Sequence, residues 1–561
     1  MSFVKMKFNR MLVVGTLTMA VNYIVMLSGS VIVGNLVGAD GLSALNVCTP
    51  VFGAASFLAS LLSVGTALVF SRAMGAFDAE RAARVFSHAM VVAIGLGAAI
   101  CAAMQFGEAA FLNLTGVTGA VRLQAENYWR WQTIAMALLP SVLTLEALVY
   151  ADGDGLVALL AGGLHVTGAI GLSCWYTWRS GDAGGVSQGT ALTMMAVLVA
   201  CSAHFYRRNN HLRFRDGSPF SDLREILAGS LADSTIYLCW GALVLIVNRF
   251  AVAKFGQGLL PVVALAASVV EFSIVFDGVG EALIPVGGMY AGEGNKPAMR
   301  TLANYSALVA TAEGVVCGAA LWFLAPQIVA WYGFRGESAA LMPEAVRMAR
   351  TLALAMPFMG LLMMMNTHYL VVGHIPFAVS VTVMKDFVCP CAGALSLGAA
   401  FGARGMWLGF VVGYVVAAAY PFLFVLVRHG RGLFPWLIAR DDGRSIDFTV
   451  RLTERSLSGA SDRIAEYLNV NGVLDTVVGR LKSVLADVGA ATIRANRRNV
   501  LCEYFVSLGE MGVARVVVRD DGRAGSEEGR AGSEAAGVTC RHLNTIGCNR
   551  IEFILKYSYE N

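Results

Sequence analysis

The chain has 561 residues, of which 57% are hydrophobic and 14% are charged, and its mean hydropathy is +0.63. This balance excludes an ordinary soluble enzyme. The net charge is only +4 and the basic residues are spread over short loops, so we expect no nucleic-acid partner. Most of the eleven cysteines lie singly in apolar runs, and no metal site is predicted.

Apolar stretches of bilayer length follow one another along most of the chain. A transmembrane helix needs about 20 such residues. The first stretch lacks a small-residue cleavage site, so it predicts a helix and not a signal peptide. Twelve spans are predicted, at Met11–Val33, Asn46–Phe70, Val85–Met104, Trp131–Tyr150, Leu156–Tyr176, Gly185–Phe205, Leu231–Val252, Leu260–Val286, Asn304–Leu324, Thr351–Val372, Ile375–Gly398 and Gly405–Val427.

The basic residues predict how the chain crosses the membrane. Lys and Arg concentrate in alternate loops, including those that contain Lys5, Arg81, Arg213, Arg300 and Arg428. Such loops are typically cytoplasmic. We therefore expect a multi-pass protein of the inner (plasma) membrane with both termini in the cytoplasm.

The two sets of six spans contain an internal repeat. V-G-T-A-L at Val64–Leu68 has a counterpart, V-G-E-A-L, at Val279–Leu283. An even number of spans per repeat returns the chain to its starting side, so the repeats share one orientation. The predicted membrane domain is all-α, with two parallel six-helix bundles at 1–206 and 231–430 joined by a loop at 207–230. A substrate cavity is expected between the bundles.

A separate domain is predicted at 441–561, where the composition becomes charged. It is expected to be a small α+β cytoplasmic domain. Its predicted elements are a strand at Ile446–Thr453, a helix-like segment at Asp462–Leu485, strands at Val513–Arg519 and Ile551–Tyr557, and a mobile loop at Asp520–Gly537.

Two loop motifs resemble those of the multidrug and toxin extrusion (MATE) family. They are G-T-A-L-V-F-S-R-A-M-G-A-F-D-A-E-R-A at Gly65–Ala82 and I-P-V-G-G-M-Y-A-G-E-G-N at Ile284–Asn295. The resemblance implies a non-enzymatic exporter that exchanges small organic compounds for protons or sodium ions and uses no other cofactor. The chain departs from many members at Gly29, where they carry an aspartate, and it has Cys239 and its neighbours where a subgroup carries a glutamate.

Intramembrane acids are the candidates for ion coupling, because a charge there costs about 2.5 to 3.5 kcal/mol on insertion scales. Glu271, Asp277 and Glu281 of the eighth span form the densest group, and the last two share a helix face. Further candidate acids are Glu313 and Asp386, which form a secondary ion site, and the solitary Glu146. Lys385 adjoins Asp386, and the two either form a neutralising pair or, because adjacent residues on a helix face different ways, have separate partners.

Substrate contacts are predicted on the tenth span. Met364, Asn366, His368 and Tyr369 combine a flexible thioether with hydrogen-bonding groups, which suits a permissive cavity for small molecules. The resemblance supports this interpretation, because the tenth helix contributes to the cavity in that family. Membrane lipids are the other expected partner.

The C-terminal segment resembles an anti-sigma-type histidine-kinase-like ATPase domain. The motif V-V-V-R-D-D-G-R places Asp520 and Gly522 at the positions that hold adenine in that fold. The helix predicted before them lacks the paired Glu and Asn that position metal and phosphates. The resemblance therefore implies a degenerate module that docks a cytoplasmic protein or senses a signal.

Three functions remain open at this point. The first is an ion-coupled exporter of cationic or amphipathic compounds, which the excess of acids over bases in the spans favours. The second is a lipid-linked saccharide flippase, which requires a cationic cavity. The third is a membrane receptor that signals through the C-terminal domain. ATP-driven pumping is not expected, because no G-x-x-x-x-G-K-[ST] motif occurs.

Overall fold

The computed structural model describes residues 2–37, 39–115, 118–207, 210–215, 222–256, 259–331, 340–439, 443–496, 500–509, 513–522, 538–545 and 548–556. The first half of the membrane domain consists of six long helices that extend beyond the apolar runs. They are α1 Phe3–Leu36, α2 Ala39–Gly75, α3 Ala79–Thr115, α4 Gly119–Ala151, α5 Gly155–Ser180 and α6 Gly184–Ser202, the last followed by a 3-10 turn at Ala203–Tyr206.

The second half contains more interrupted helices than the first. The predicted span Leu260–Val286 is broken by a 3-10 segment, Phe272–Phe276. A left-handed residue, Gly402, breaks the last long helix in two. The helices are α7 Leu223–Phe255, α8 Leu260–Glu271, α9 Asp277–Glu293, α10 Lys296–Trp331, α11 Met342–Ala353, α12 Met356–Val371, α13 Ile375–Val383 and α14 Cys389–Leu433, with a π-helical segment, Met384–Val388, before α14.

The helices confirm the predicted all-α membrane domain. Among the described residues, eight helical stretches are long and apolar enough to cross a membrane, or nine if α11 and α12, which meet at a 46° bend, count as one. One of these stretches, Ile375–Leu433, contains the break at Gly402 and covers two of the predicted spans.

The two halves touch through their backbones near the ends of α2 and α9. A Cβ atom at Gly75 would lie 2.4 Å from the carbonyl oxygen of Met289, and one at Gly292 would lie 2.4 Å from that of Arg72. The guanidinium of Arg72 also donates to the carbonyl oxygen of Val371 at 2.8 Å. Only glycine permits so close an approach, and the halves are therefore closed against each other here.

The C-terminal segment forms a small α+β domain, called the tail domain below. Its antiparallel sheet has the order β1-β2-β3-β5-β4, and α15 and α16 pack on one face through Ile464, Leu481 and Phe553. The elements are β1 Ser445–Arg451, α15 Glu454–Val470, α16 Asp475–Ala495, β2 Leu501–Leu508, β3 Val513–Asp520, β4 Val538–Thr545 and β5 Cys548–Lys556.

The prediction of a single helical segment at Asp462–Leu485 was wrong in one respect, because two helices, α15 and α16, occupy this region. The left-handed Gly472, with a φ of 80°, ends the first of them. Strands β2 and β4 were not predicted. Most of the predicted loop Asp520–Gly537, and the start of the domain at Asp441, lie outside the described residues.

Candidate functional site

A cavity of about 120 Å³ lies between α1, α2, α4 and α5 of the first half and α9 of the second. A water molecule occupies about 30 Å³ in the liquid, so the cavity has room for about four waters. Pockets for drug-sized ligands measure roughly 300 to 1,000 Å³. In this state the cavity suits an ion and its waters, and a larger substrate requires the halves to move.

Two carboxylates from different halves face this cavity. Glu146 of α4 and Glu281 of α9 both line it, and they are close enough to interact electrostatically. Two negative charges in a helix bundle repel each other, and a proton or a cation bound between them removes that repulsion. The pair therefore has the chemistry of a cation site that both halves share.

Neighbouring residues fix the two acids in place. The hydroxyl of Tyr150, which also lines the cavity, donates to the carbonyl oxygen of Met11 at 2.6 Å and so joins α4 to α1. Pro285 lies one turn after Glu281 in α9 and has no N–H for the helix hydrogen bond at that turn. Helix α9 is therefore more easily bent beside the cavity than elsewhere.

The other two acids of the predicted coupling group lie apart from this pair. Glu271 ends α8 and contacts Trp240 of α7, whereas Asp277 begins α9, one turn before Glu281. The 3-10 segment between Glu271 and Asp277 has three residues per turn instead of 3.6. The relative directions of the two side chains therefore differ from those in a continuous α-helix. Of the three acids, the cavity lining includes Glu281 alone among the described residues.

The secondary ion site is divided between two places. Glu313 of α10 lies next to Thr16 of α1. Asp386 lies in the π-helical segment, where its Oδ2 is 2.7 Å from Nζ of Lys385. Of the two expectations for Lys385 and Asp386, the structure has the neutralising pair, because the wider π turn lets two adjacent side chains approach each other.

The predicted substrate residues are all buried in α12, and three of them make hydrogen bonds to other segments of the second half. Asn366 accepts from the hydroxyl of Thr382 at 2.9 Å. His368 Nε2 is 2.9 Å from the carbonyl oxygen of Trp436, and the Tyr369 hydroxyl donates to that of Pro435 at 3.1 Å. Together with Met364, they lie outside the lining of the 120 Å³ cavity in the described part of the chain.

The predicted nucleotide remnant is occupied by the protein's own donors. Oδ1 of Asp520 accepts hydrogen bonds from the backbone N–H of Gly522 and from the side-chain amide of Asn549, both at 2.9 Å. Burial raises the pKa of Asp520 above its ordinary value. This carboxylate oxygen therefore already accepts two hydrogen bonds from the protein itself.

Sequence reasoning treated Glu146 as solitary, because its partner lies 135 positions away in the chain. The available signal was an acid in an otherwise apolar stretch, one turn before Tyr150. Such a residue is a functional candidate by default, but only the crossing of α4 and α9 shows which acid it meets.

Two helical halves around a cavity are an architecture of membrane transporters. The MatE family model matches residues 16–169 and 236–385, which is one stretch in each half and just over half of the chain. The chain belongs to this family. The match confirms the predicted family and the internal repeat.

Solved structures agree with this assignment at the level of the fold. The chain is 24% identical to a MATE crystallised in complex with MaL6, with a TM-score of 0.71 over 76% of this chain and 96% of that one. The same values hold for an outward-facing multidrug resistance MATE family transporter of the MOP superfamily. A MOP superfamily transporter from Pyrococcus furiosus, described as having a binding pocket of reversed polarity, is 23% identical, with a TM-score of 0.70 over 76% of this chain and 96% of that one. No curated protein matches the chain.

Proposed function

We propose that this chain is an antiporter that exports small cationic or amphipathic organic compounds in exchange for protons or sodium ions. The observation that carries the proposal is the pair Glu146 and Glu281 at one cavity. A monovalent cation or a proton bound between the two acids cancels one of their negative charges and with it the repulsion, and a cationic substrate competes for the same site. Binding of one then drives release of the other.

The shared location of the acids links this exchange to movement of the halves. Glu146 belongs to the first half and Glu281 to the second. With both acids ionised, repulsion favours separation of α4 and α9, whereas a bound cation or proton favours closure. A ligand shifts the equilibrium between separated and closed halves only if it binds the two states with different affinities. A cation held by both acids binds the closed state more tightly, which supplies this difference in affinity.

The charge of the cavity also bears on the flippase alternative. Glu146 and Glu281 are the charged residues in its lining, which contains no Lys or Arg within the described part of the chain. A pyrophosphate-linked saccharide requires the opposite charge. The name of one structural neighbour, a multidrug resistance transporter, is a further argument for organic cations as cargo. The proposed location is the inner (plasma) membrane with both termini in the cytoplasm.

The test measures export of ethidium from proteoliposomes under a proton gradient and, separately, a sodium gradient. Glu146→Gln and Glu281→Gln should each reduce gradient-driven transport at least roughly tenfold, because each removes half of the coupling charge. Glu126→Gln is the matched control, since it lies on the same helix as Glu146 but pairs with Arg122 at the surface. Normal transport by both cavity variants would refute the proposal.

Two further variants separate this site from the other acids of the coupling group. If Glu271→Gln and Asp277→Asn abolish transport while the cavity variants retain it, coupling resides at the break between α8 and α9. If all four variants transport normally, Glu313 and Asp386 become the sites to test. A response to only one of the two gradients identifies the coupling ion.

A further inference from the structure

The tail domain binds the membrane domain with the sheet face opposite α15 and α16. This face carries six charged residues at its centre, where an isolated sheet would expose them to water. They are Glu503 of β2, Arg515 and Arg519 of β3, and Arg550 and Glu552 of β5, with Asp447 of β1 at the edge. The side chains of Arg519, Arg550 and Glu503 have no exposed surface.

The first half is held through the end of α2. Arg550 donates to the carbonyl oxygens of Met74 at 2.7 Å and Gly75 at 3.0 Å. These carbonyls are the negative end of the α2 dipole, where a cation is favoured. The guanidinium of Arg550 also lies 4.2 Å from the ring centre of Phe77, and that of Arg515 lies 5.6 Å from it.

The backbone of Phe77 is adapted to this contact. Phe77 has a φ of 59°, a left-handed conformation that residues with a Cβ seldom adopt. Such strain persists only where the surroundings compensate for it. Here the N–H groups of Phe77 and Asp78 donate to the carbonyl oxygens of Met74 and Ala73 at the helix end, and the ring lies against two arginines of the tail domain.

The second half is held through the end of α9 by the same arginines. Arg550 donates to Glu293 Oε1 at 2.5 Å, and Arg519 donates to the same oxygen at 3.2 Å. Arg515 donates to the Glu293 carbonyl oxygen at 3.2 Å. Arg519 also lies over the ring of Tyr290, whose hydroxyl donates to Glu503 at 2.8 Å.

From these contacts we propose that the tail domain is a latch that keeps the two halves closed on the side where it binds. Arg550 contacts both α2 and α9, the helices that carry the sequence repeat, and Arg515 contacts α9 and Phe77, two residues beyond the end of α2. Separation of α2 from α9 must therefore break contacts of at least one of these arginines. The buried charges balance, with Arg519 and Arg550 against Glu293 and Glu503, so loss of one partner leaves an uncompensated charge. The inference rests on the proposed alternation of the two halves.

The test measures the distance between the two halves in the full chain in nanodiscs. Spin labels carried by unnatural amino acids at the exposed positions Glu80 and Lys296 report the separation of the ends of α2 and α9 without altering the native cysteines. Glu293→Gln weakens the contact with the second half, and Phe77→Ala weakens that with the first. We expect each to raise the ratio of open to closed molecules by roughly tenfold or more.

The double variant gives a sharper criterion. Release of either contact frees the halves, so Glu293→Gln combined with Phe77→Ala should open little further than either single variant. Asp462→Asn is the control, because it breaks an exposed ion pair with Lys482 inside the tail domain. Unchanged distances in both single variants, or single effects that simply add in the double, would overturn the latch.

The same experiment separates failure of the latch from failure of the proposed function. If ethidium changes the separation of the wild-type halves and the variants are no more open than the wild type, the latch is refuted and alternation stands. If no chain opens under any condition, alternation and latch both fail. Loss of ion coupling is detected separately, by the transport assay of the cavity variants.

Discussion

Asp447 provides a test of how firmly the tail domain is held. It lies in β1 on the face that meets the membrane domain, and it accepts a hydrogen bond from Asn295 at 3.2 Å. Burial raises the pKa of Asp447 to about 6, from an ordinary value of 3.8. Ionisation of this carboxylate therefore opposes docking, and Asp447→Asn should stabilise it.

The magnitude follows from this difference in pKa. A raised acid pKa means that the docked state binds the proton more tightly than the free state. The free energy of docking therefore becomes less favourable as the pH rises from 3.8 to 6 and stays constant above pH 6. Above pH 6, ionisation of Asp447 makes docking less favourable by about 3 kcal/mol. Between pH 7.5 and 5.0 the wild-type chain should recover about 1.4 kcal/mol, which is roughly tenfold in the docking equilibrium.

Hydrogen–deuterium exchange of peptides that cover residues 74–78 and 290–296 measures this equilibrium, because the tail domain covers both segments. In the wild type, protection should increase as the pH falls from 7.5 to 5.0 after correction for the intrinsic exchange rate. In the Asp447→Asn variant, protection of these peptides should be high at both pH values. Equal pH dependence in the two chains would show that other groups, such as Glu503, control docking.

Three further predictions concern other parts of the molecule. Gly292→Ala places a Cβ 2.4 Å from the carbonyl oxygen of Arg72 and should destabilise the closed membrane domain by about 1 to 3 kcal/mol. This destabilisation should appear as a lower melting temperature in detergent. Gly171→Ala is the control, because its Cβ would meet no atom within 4 Å, and it should leave the melting temperature unchanged. A cysteine at Val470, which is 80% exposed, should react with an impermeant maleimide only after cells are opened, and labelling of intact cells would reverse the proposed orientation. The purified full chain should show no saturable ATP binding at physiological concentration, and micromolar binding that Asp520→Ala removes would contradict this.

The sequence alone predicted the membrane fold well, because each span must be apolar over about 20 residues. The interruptions were harder to predict. The 3-10 segment Phe272–Phe276 is as apolar as its surroundings, and its effect on Glu271 and Asp277 depends on packing against other helices. In the tail domain, β2 was missed because Glu503 and its neighbours are buried on both faces, which removes the alternating pattern of a half-exposed strand.

Contacts between residues that are far apart in the chain could not be predicted from the sequence. Glu146 and Glu281 each had a visible signal as intramembrane acids, but their shared cavity depends on how α4 meets α9. The arginines of β3 and β5 had no signal at all, since Arg515, Arg519 and Arg550 resemble the solvated residues of any soluble sheet. Their role depends on the domain that covers them.

The cavity acids and the tail arginines act on the same helix, and this determines how they combine. Glu281 lies one turn after the start of α9 and Glu293 at its end, with Pro285 between them. Repulsion between Glu146 and Glu281 favours movement of α9 away from the first half, whereas the tail domain holds its end against α2. The two effects oppose each other, and a bound cation removes the repulsion, so release of the latch should raise the amount of cargo or coupling ion needed to keep the halves closed. In the transport assay, Glu293→Gln should therefore change the half-saturating ethidium concentration, whereas Glu281→Gln should remove the gradient dependence itself.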